Sequence, residues 1–337
     1  MLVGIKPTVG RVSRYGVIPF TADQDTPGPM AKSVTDAAIL LGALESPAPD
    51  PNDSATKVCT PPPGRDYTQF LKRDGLKGAR IGIPRASFYT PMKVPGRDRT
   101  SGGLNPAQLT VMENAITALK AAGAVIVDPA DIPSILEPDP MKNYLAWGRC
   151  SGMDTSKGRD AGCSIVFKYG FKRDFNAWLA SLGPAAPVKS LTELRIFNLT
   201  HTRGNAIRYG QSNLDGADEI DLMADKARYE ADHAKDLLLA ATDGLDAVMK
   251  TNQLDALLFP GWTGANIAAK PGYPTVIVPF GMVPNQLTPP LPDGFGAKLM
   301  PYGISFTGLA CSEPRLIELA YAFEQATRKR IPPPAMP

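Results

Sequence analysis

The sequence predicts an α/β fold, and three observations support that prediction. An apolar strand pattern at residues 80–84, a helix start at Asn105-Pro106 and a second apolar stretch at residues 124–127 form a strand–helix–strand unit, which is typical of an α/β sheet. The chain has 337 residues and is 43% hydrophobic, enough for a large core. Three further apolar stretches, each closed by Pro or Gly, predict strands towards the C-terminus, at residues 255–259, 275–279 and 303–306.

The N-terminal elements follow in order. Residues 2–5 are apolar and predict a strand, residues 11–18 predict an extended loop, and Thr26-Pro27-Gly28-Pro29 predicts a tight turn. Ser33 has the character of a helix N-cap, with Asp36 three residues later. The helix that it begins is expected to bury one face, which consists of Ala37, Leu40, Leu41 and Leu44.

The rest of the chain alternates loops and helices. The Pro-rich stretch 46–66 and the Gly/Pro/Arg-rich stretch 85–104 predict loops, and Gly123 predicts the end of the helix that starts at Asn105. Residues 140–245 predict a mainly helical region without strands, which we expect to cover one edge of the sheet. A final amphipathic helix is predicted at residues 313–330.

Charge and composition exclude several classes of partner. The 36 basic and 33 acidic residues give a net charge of +3, which provides no electrostatic reason to expect nucleic acid or an anionic membrane. No stretch approaches the roughly 18 consecutive apolar residues of a membrane-spanning helix. The compartment is left open, with the cytoplasm slightly favoured.

The four cysteines form no CxxC pair, so the sequence does not predict a zinc site. We interpret them as reduced thiols. A Cys150–Cys163 disulfide is the alternative for an exported protein. The cysteines are Cys59, Cys150, Cys163 and Cys311.

The residues alone identify no catalytic group. Only two histidines occur, His201 and His233, and both lie in predicted helical stretches where a structural role explains them. No GxGxxG or GxxxxGK[ST] pattern follows a predicted strand. We therefore expect no metal and no nucleotide or other cofactor.

Residues 3–45 strongly resemble the second half of the amidase signature. The family pattern is a Gly-x-Lys-Pro-Thr-x-Gly-Arg-x-Ser segment followed by Asp-x-x-Gly-Pro-Met and a Thr-x-Asp-Ala-Ala helix. The segments 254–260, 268–281, 301–308 and 312–333 are similar to the family's closing strands and last helix, in the same order. The matching positions here are Gly4, Lys6, Pro7, Thr8, Gly10, Arg11, Ser13, Asp25, Gly28, Pro29, Met30, Thr35, Asp36, Ala37 and Ala38.

The resemblance implies a mixed central sheet flanked by helices and hydrolysis of a carboxamide C–N bond. Members of the family use a Lys, a bridging Ser in a cis peptide and a nucleophilic Ser, with no histidine and no cofactor. The nucleophile lies in a Gly-Gly-Ser-Ile-Arg-like turn, which this sequence lacks. We therefore expect no catalytic residue in this chain: Lys6 and Ser13 belong to motif positions that are not catalytic.

The resemblance also suggests residues that support a substrate pocket. One group follows the first strand and another lies at the ends of the closing strands. A turn leading into a helix, or ordinary strand ends in a core, explains the same residues equally well. The candidates are Asp25, Thr26, Gly28, Pro29, Tyr273, Pro274, Thr275, Phe306, Thr307 and Gly308.

We thus expect residues 1–337 to form a single amidase-signature domain whose N-terminal part is missing, inactive alone. The partners would be a small amide substrate, once the N-terminal part is supplied, and that N-terminal segment or a second copy. The alternative is a non-catalytic remnant or half of a split enzyme that acts by association. The A subunit of a tRNA-dependent amidotransferase is a third and less favoured interpretation.

Overall fold

A mixed β-sheet forms the centre of the fold. The structure is a computed structural model that describes residues 1–150, 162–201, 207–285 and 298–332. The strands in chain order are β1 (Val3–Lys6), β2 (Met30–Ala31), β3 (Arg80–Gly82), β4 (Met92–Lys93), β5 (Thr100–Ser101), β6 (Val125–Val127), β7 (Gly148–Arg149), β8 (Cys163–Ser164), β9 (Ala256–Pro260), β10 (Thr275–Val283) and β11 (Met300–Thr307).

Seven of these strands, among the described residues, form the sheet in the order β2-β1-β10-β11-β9-β3-β6. The pairs from β2 to β9 are antiparallel, whereas β3 pairs in parallel with both β6 and β9. The predicted strand–helix–strand unit is therefore present as a parallel pair, and the predicted mixed sheet is confirmed.

Helices lie on both faces of the sheet. Their bounds are α1 (Val34–Leu44), α2 (Pro106–Ala121), α3 (Pro133–Leu136), α4 (Val166–Ser181), α5 (Leu191–Thr200), α6 (Ser212–Asp218), α7 (Lys226–Leu237), α8 (Asp246–Asn252), α9 (Gly264–Ala269) and α10 (Glu313–Thr327). On the first face, α1, α2 and α10 share a hydrophobic cluster with Ile5, Val276 and Phe306. On the second face, α3, α8 and α9 pack with Leu257 and Phe259 of β9.

The helix ends show why the local sequence was informative. The Ser33 hydroxyl accepts a hydrogen bond from Asp36 N at 3.1 Å and caps α1. Asn105 and Gln108 form a reciprocal capping box at the start of α2, which satisfies backbone donors that the first turn leaves free. Gly123 follows α2 with φ +92°, a conformation that glycine adopts without steric cost.

The predicted buried face of α1 was partly wrong. Ala37 and Leu41 are buried as expected, but Leu40 and Leu44 are 42% and 46% exposed. The face that packs against the core includes Ala38 and Gly42 instead. A Cβ on Gly42 would lie 2.1 Å from Arg65 O, so the neighbouring loop approaches too closely for large side chains on that side.

Three local predictions also need correction. Residues 26–29 form no tight turn, and the turn lies at residues 22–24. The stretch 85–104 is not all loop, because β4 and β5 pair within it. The stretch 140–245 contains a short parallel pair, β7 and β8. Each of these strands has two residues, too few for periodicity to reveal.

The cysteines are not reduced thiols. Cys59 pairs with Cys311, and Cys150 pairs with Cys163, so none of the four is free. No local pattern connects Cys59 with a residue 252 positions away, because that pairing depends on the tertiary fold. Paired cysteines are typical of proteins that mature in oxidising compartments.

The helices α4 to α7 lie in the stretch that we predicted to be mainly helical. They have small hydrophobic clusters of their own, one around Ile165 and Tyr169 and another around Phe175 and Leu191. The assignment of the whole chain to a single domain stays a prediction. Among the described residues, no helix is both long enough and apolar enough to cross a membrane.

Candidate functional site

The ends of three neighbouring strands bring the predicted site residues together. Lys6 of β1 pairs with Thr275 of β10, and Thr275 pairs with Thr307 of β11. Because these strands are antiparallel, the end of β1, the start of β10 and the end of β11 lie side by side at the same end of the three strands. Cross-strand partners point to the same face, so these three side chains lie in one row.

Two threonines form the centre of that row. Their hydroxyls lie 2.9 Å apart and hydrogen-bond to each other, and both residues are buried. A Cβ on Gly264, at the start of α9, would lie 2.8 Å from the Thr307 hydroxyl, so α9 lies directly over the pair. Phe306 points to the opposite face, where it is fully buried against Phe323, and its role is in the core.

Tyr273 and Pro274 form the approach to β10. The Tyr273 carbonyl accepts a hydrogen bond from Lys6 Nζ at 2.5 Å, and its hydroxyl donates to Asp246 Oδ1 at 2.8 Å. Burial, together with the Asp246 carboxylate, raises the pKa of Tyr273 above its ordinary value. Gly308 N donates to Pro274 O at 3.3 Å. These bonds join the second group of predicted residues to the end of β1.

Lys6 is a half-buried cation of this site. Burial lowers the pKa of Lys6 to about 8, and the negative charge of Glu313 partly opposes that shift. Sequence reasoning named Lys6 as a motif residue without a catalytic role. Its contact with Tyr273 gives it a structural one, because it connects β1 to the segment before β10.

The first group of predicted residues lies alongside the end of β1. Thr26 Oγ1 donates to Pro7 O at 3.3 Å, and Ile5 N donates to Pro29 O at 3.0 Å. A Cβ on Gly28 would lie 2.0 Å from Ile5 O, so only glycine permits this close approach of the two backbones. The structure therefore brings both predicted groups to the Lys6-Pro7 end of β1.

Asp25 is used within its own loop. Its Oδ2 accepts hydrogen bonds from Phe20 N at 2.7 Å and Thr21 N at 2.9 Å. Burial raises the pKa of Asp25, although these two bonds and the charge of Arg14 favour the ionised form. The geometry accounts for Asp25 as a residue that closes the loop.

The same loop is attached to the helical region. Ala22 N donates to Asp174 Oδ2 at 2.7 Å, and the ring of Phe20 stacks on Phe171 with centroids 4.8 Å apart. Both partners belong to α4. This helix therefore helps to fix the segment that leads into residues 25–29.

A buried charge network follows β1, and sequence reasoning missed it. Arg11 bridges Glu45 at 3.1 Å and Glu313 at 2.8 Å. Glu313 also accepts from Thr8 N at 2.6 Å, and Tyr67 donates to Glu45 at 2.8 Å. Burial alone would lower the pKa of Arg11, but the two glutamates raise it above its ordinary value. Arg11 lay in the matched motif, whereas nothing local marked Glu45 or Glu313 as its partners.

The polar side chains at this site hydrogen-bond to neighbouring groups of the same site. One threonine hydroxyl donates to the other, and the Lys6 amine donates to the Tyr273 carbonyl. His201 is exposed and stacks on Phe197, and His233 stacks on Tyr229. Within the described ranges, no group of three His, Cys, Asp or Glu side chains could hold a metal ion.

Comparisons with known proteins agree with one another. The family model described as Amidase matches residues 1–317. The chain is 33% identical over 334 residues to a probable amidase from Arabidopsis thaliana. It is 28% identical over 336 residues to the A subunit of a glutamyl-tRNA(Gln) amidotransferase from Thermosynechococcus vestitus. Among solved structures, the native peptide amidase from Stenotrophomonas maltophilia matches with a TM-score of 0.75 and 34% identity.

The chain spans only part of the length of these relatives. The alignment with the Arabidopsis protein covers 98% of this chain and 54% of that protein. The alignment with the Thermosynechococcus protein covers 97% of this chain and 60% of its relative. The match to the Stenotrophomonas structure covers 98% of this chain and 59% of that one.

Proposed function

The chain belongs to the amidase family, and on that premise we propose that it forms part of a hydrolase of carboxamide C–N bonds. The observation that carries the proposal is the family match, which extends over residues 1–317. The proposed substrate is a small carboxamide or the C-terminal amide of a peptide. The names of the Arabidopsis and Stenotrophomonas proteins, an amidase and a peptide amidase, support that class.

We further propose that the catalytic Lys, bridging Ser and nucleophilic Ser come from outside residues 1–337. In a mechanism of this kind, a neutral Lys takes a proton from the bridging Ser, which takes one from the nucleophile. Backbone N–H groups in a Gly-rich turn then stabilise the oxyanion. The absence of a Gly-Gly-Ser-Ile-Arg-like turn from the sequence supports this division.

The proposed contribution of this chain is the framework next to the catalytic groups. The row of Lys6, Thr275 and Thr307 and the backbone of residues 25–29 lie at one end of β1. Hydrogen bonds and close backbone contacts hold this region in one geometry. A rigid support of this kind favours correct positioning of a substrate, on which catalysis depends steeply.

Activity of a chimera tests the proposal. The part of the Stenotrophomonas peptide amidase that precedes its counterpart of β1 would be fused ahead of β1. We expect ammonia release from peptide amides by the chimera and none by the 337-residue chain. The matched control is the same chimera with its donor nucleophile changed from Ser to Ala, which should be inactive.

Two outcomes would contradict the proposal. Turnover by the chain alone, at a rate that follows the purified protein through every column, would place the catalytic groups inside it. A chimera that is folded and monodisperse but inactive would show that this framework does not support amide hydrolysis.

A second candidate is a half-enzyme that functions by association, and an uncovered part of the sheet favours it. One row of cross-strand partners lies on the second face and consists of Met30, Gly4, Ile277, Ser305 and Phe259. Ser305 and Phe259 are buried, whereas Met30 is 75% exposed and Ile277 is half-buried. We call the uncovered part, formed by Gly4, Met30 and Ile277, the open face. The proposed occupant is an N-terminal segment of the family or a second copy of this chain.

The amidotransferase interpretation has weaker support. The identity to the Thermosynechococcus protein is 28% over nearly the whole chain, against 33% for the Arabidopsis amidase. A role of that kind would also require partner subunits. We therefore rank it third.

A further inference from the structure

A small pocket at the start of α4 is lined by none of the residues in the row of Lys6, Thr275 and Thr307. It lies between the loop that contains Phe20, the end of β7, the first turn of α4 and helix α6. Its volume is about 170 Å³, below the roughly 300 Å³ at which sites for drug-sized molecules begin. A ligand that fits this pocket is therefore small, on the scale of a single ring.

Two phenylalanine rings form the apolar part of the pocket. The rings of Phe20 and Phe167 have centroids 5.1 Å apart and planes inclined at 57°. Phe20 is held in place because its ring also stacks on Phe171 at 4.8 Å, yet it remains 38% exposed. Phe167 is half-buried. Partly exposed rings at fixed positions favour contact with a further ring, since aromatic pairs associate at centroid separations of about 4.5–7 Å.

Arg149 is the polar group of the pocket that a ligand can reach. Its guanidinium lies over the Phe167 ring, 5.4 Å from the ring centroid, and the residue is exposed. Within the part of the chain that the structure describes, Arg149 forms no salt bridge. Its N–H donors are therefore placed beside the aromatic wall without a carboxylate from this part of the chain.

The charge of the lining favours an anion. Arg149 and Lys168 are both cations, and no Asp or Glu occurs among the described residues that line the pocket. Lys168 is only 4% exposed and has contacts of its own, so direct contact with a ligand falls to Arg149. A guanidinium presents paired N–H donors that match the two oxygens of a carboxylate. A carboxylate is thus the anion that this lining fits best.

The remaining walls are held in place by bonds to other elements. Cys150 is joined to Cys163 by a disulfide, and Ala217 of α6 is buried. Helix α6 is connected to α4 because Lys172 Nζ donates to Asp218 O at 2.7 Å and lies 3.4 Å from the Asp218 carboxylate. A preformed pocket of this kind reduces the entropic cost of binding.

We propose that this pocket binds a small aromatic carboxylate, whose ring lies against Phe20 and Phe167 and whose carboxylate accepts hydrogen bonds from the Arg149 guanidinium. The proposal does not depend on amide hydrolysis, because the three contacting side chains line a pocket of their own.

Isothermal titration calorimetry of the 337-residue chain tests this proposal. The probes are 3-phenylpropionate, the uncharged 3-phenylpropan-1-ol and propionate, which lacks the ring. We expect saturable binding of 3-phenylpropionate and at least about tenfold weaker binding of each of the other two, equivalent to about 1.4 kcal/mol. Equal affinity for the alcohol would overturn the contact between Arg149 and a carboxylate. Equal affinity for propionate would overturn the contact with the two rings.

Arg149→Met tests the location of the site. It removes the guanidinium from an exposed position and should weaken 3-phenylpropionate binding at least about tenfold. The matched control is Arg73→Met, because Arg73 is also exposed but does not line the pocket. This control removes the same charge and should leave the affinity unchanged.

Two further outcomes would overturn the proposal. An equal loss of affinity in both variants would mean that the net charge, and not this pocket, attracts the probe. The absence of saturable 3-phenylpropionate binding by the unaltered chain would mean that the pocket holds only water. Should Arg149→Met fail to fold, the comparison of the three probes on the unaltered chain still decides.

Discussion

The half-buried Lys6 and the buried Arg11, near the end of β1, show how the immediate surroundings determine ionisation. Lys6 has a carbonyl as its hydrogen-bond partner, and burial lowers its pKa to about 8. Arg11 has two carboxylates as partners, and they raise its pKa despite burial. Desolvation disfavours the charged form in both residues, so the number of opposing charges in contact decides the direction.

The lowered pKa of Lys6 predicts a pH-dependent free energy of unfolding. Between pH 8 and 10.5 the unfolded chain binds a proton at Lys6 that the folded chain has released, so stability rises with pH in that window. At about 1.4 kcal/mol per pKa unit, the gain from pH 8 to 10.5 is up to about 3 kcal/mol. Urea unfolding across this range would measure it.

Lys6→Met serves as the control for that prediction. It removes the titrating amine while keeping most of the buried side chain. The difference in stability between the unaltered chain and Lys6→Met should shift in favour of the unaltered chain as pH rises from 8 to 10.5. A difference that stays constant with pH would contradict the assigned shift.

At the scale of elements, the irregular segments around the candidate site are bonded to residues that are distant in the sequence. The Pro-rich loop is joined to the start of α10 through Cys59 and Cys311. The loop before residues 25–29 is attached to α4 through Asp174. These connections restrain irregular segments, which have few ladder hydrogen bonds of their own.

The two disulfides should differ in their effect on stability. The Cys59–Cys311 bond spans 252 positions, and the Cys150–Cys163 bond spans 13. The chain-entropy relation gives about 5 kcal/mol for the long loop and about 3 kcal/mol for the short one. Replacing each pair by serines and measuring urea unfolding would compare them. Equal losses, or a larger loss for the short loop, would contradict this order.

At the scale of the whole molecule, the second face of the sheet is covered unevenly. Helices α3, α8 and α9 pack over β9, whereas the open face, near the β2 edge of the same face, leaves Met30 exposed. Its strand β2 is also at the edge of the sheet. An apolar surface beside an unpaired strand edge favours association with another chain.

A charge on the open face should therefore suppress self-association. We expect the unaltered chain to show concentration-dependent oligomers in sedimentation velocity and Met30→Glu to remain monomeric. Because Met30 is exposed, its replacement should change the free energy of unfolding by no more than about 0.5 kcal/mol.

Leu109→Glu provides the comparison for this experiment. Leu109 is a 38% exposed residue of α2, away from the open face. The variant should associate as the unaltered chain does. If the unaltered chain is a monomer at every concentration, the open face does not drive self-association.

Short-range patterns were sufficient for much of the fold. The caps at Ser33 and Asn105, the two strands around α2 and the three closing strands followed from apolar patterns and helix-end chemistry. These signals depend on residues within a few positions of one another, so they can be recognised in the sequence. They were insufficient for the packed face of α1, where the close approach of Arg65 O to Gly42 decided which side is buried.

The sequence by itself determined the α/β class, the family resemblance and the two groups of candidate site residues. Only the tertiary structure decided that both groups meet at Lys6 and Pro7, that Phe306 belongs to the core, and that Arg11 pairs with Glu45 and Glu313. It also decided the pairing of Cys59 with Cys311. The physical reason is distance along the chain. These contacts join residues tens to hundreds of positions apart, and no local pattern specifies which distant residue will be the contact partner.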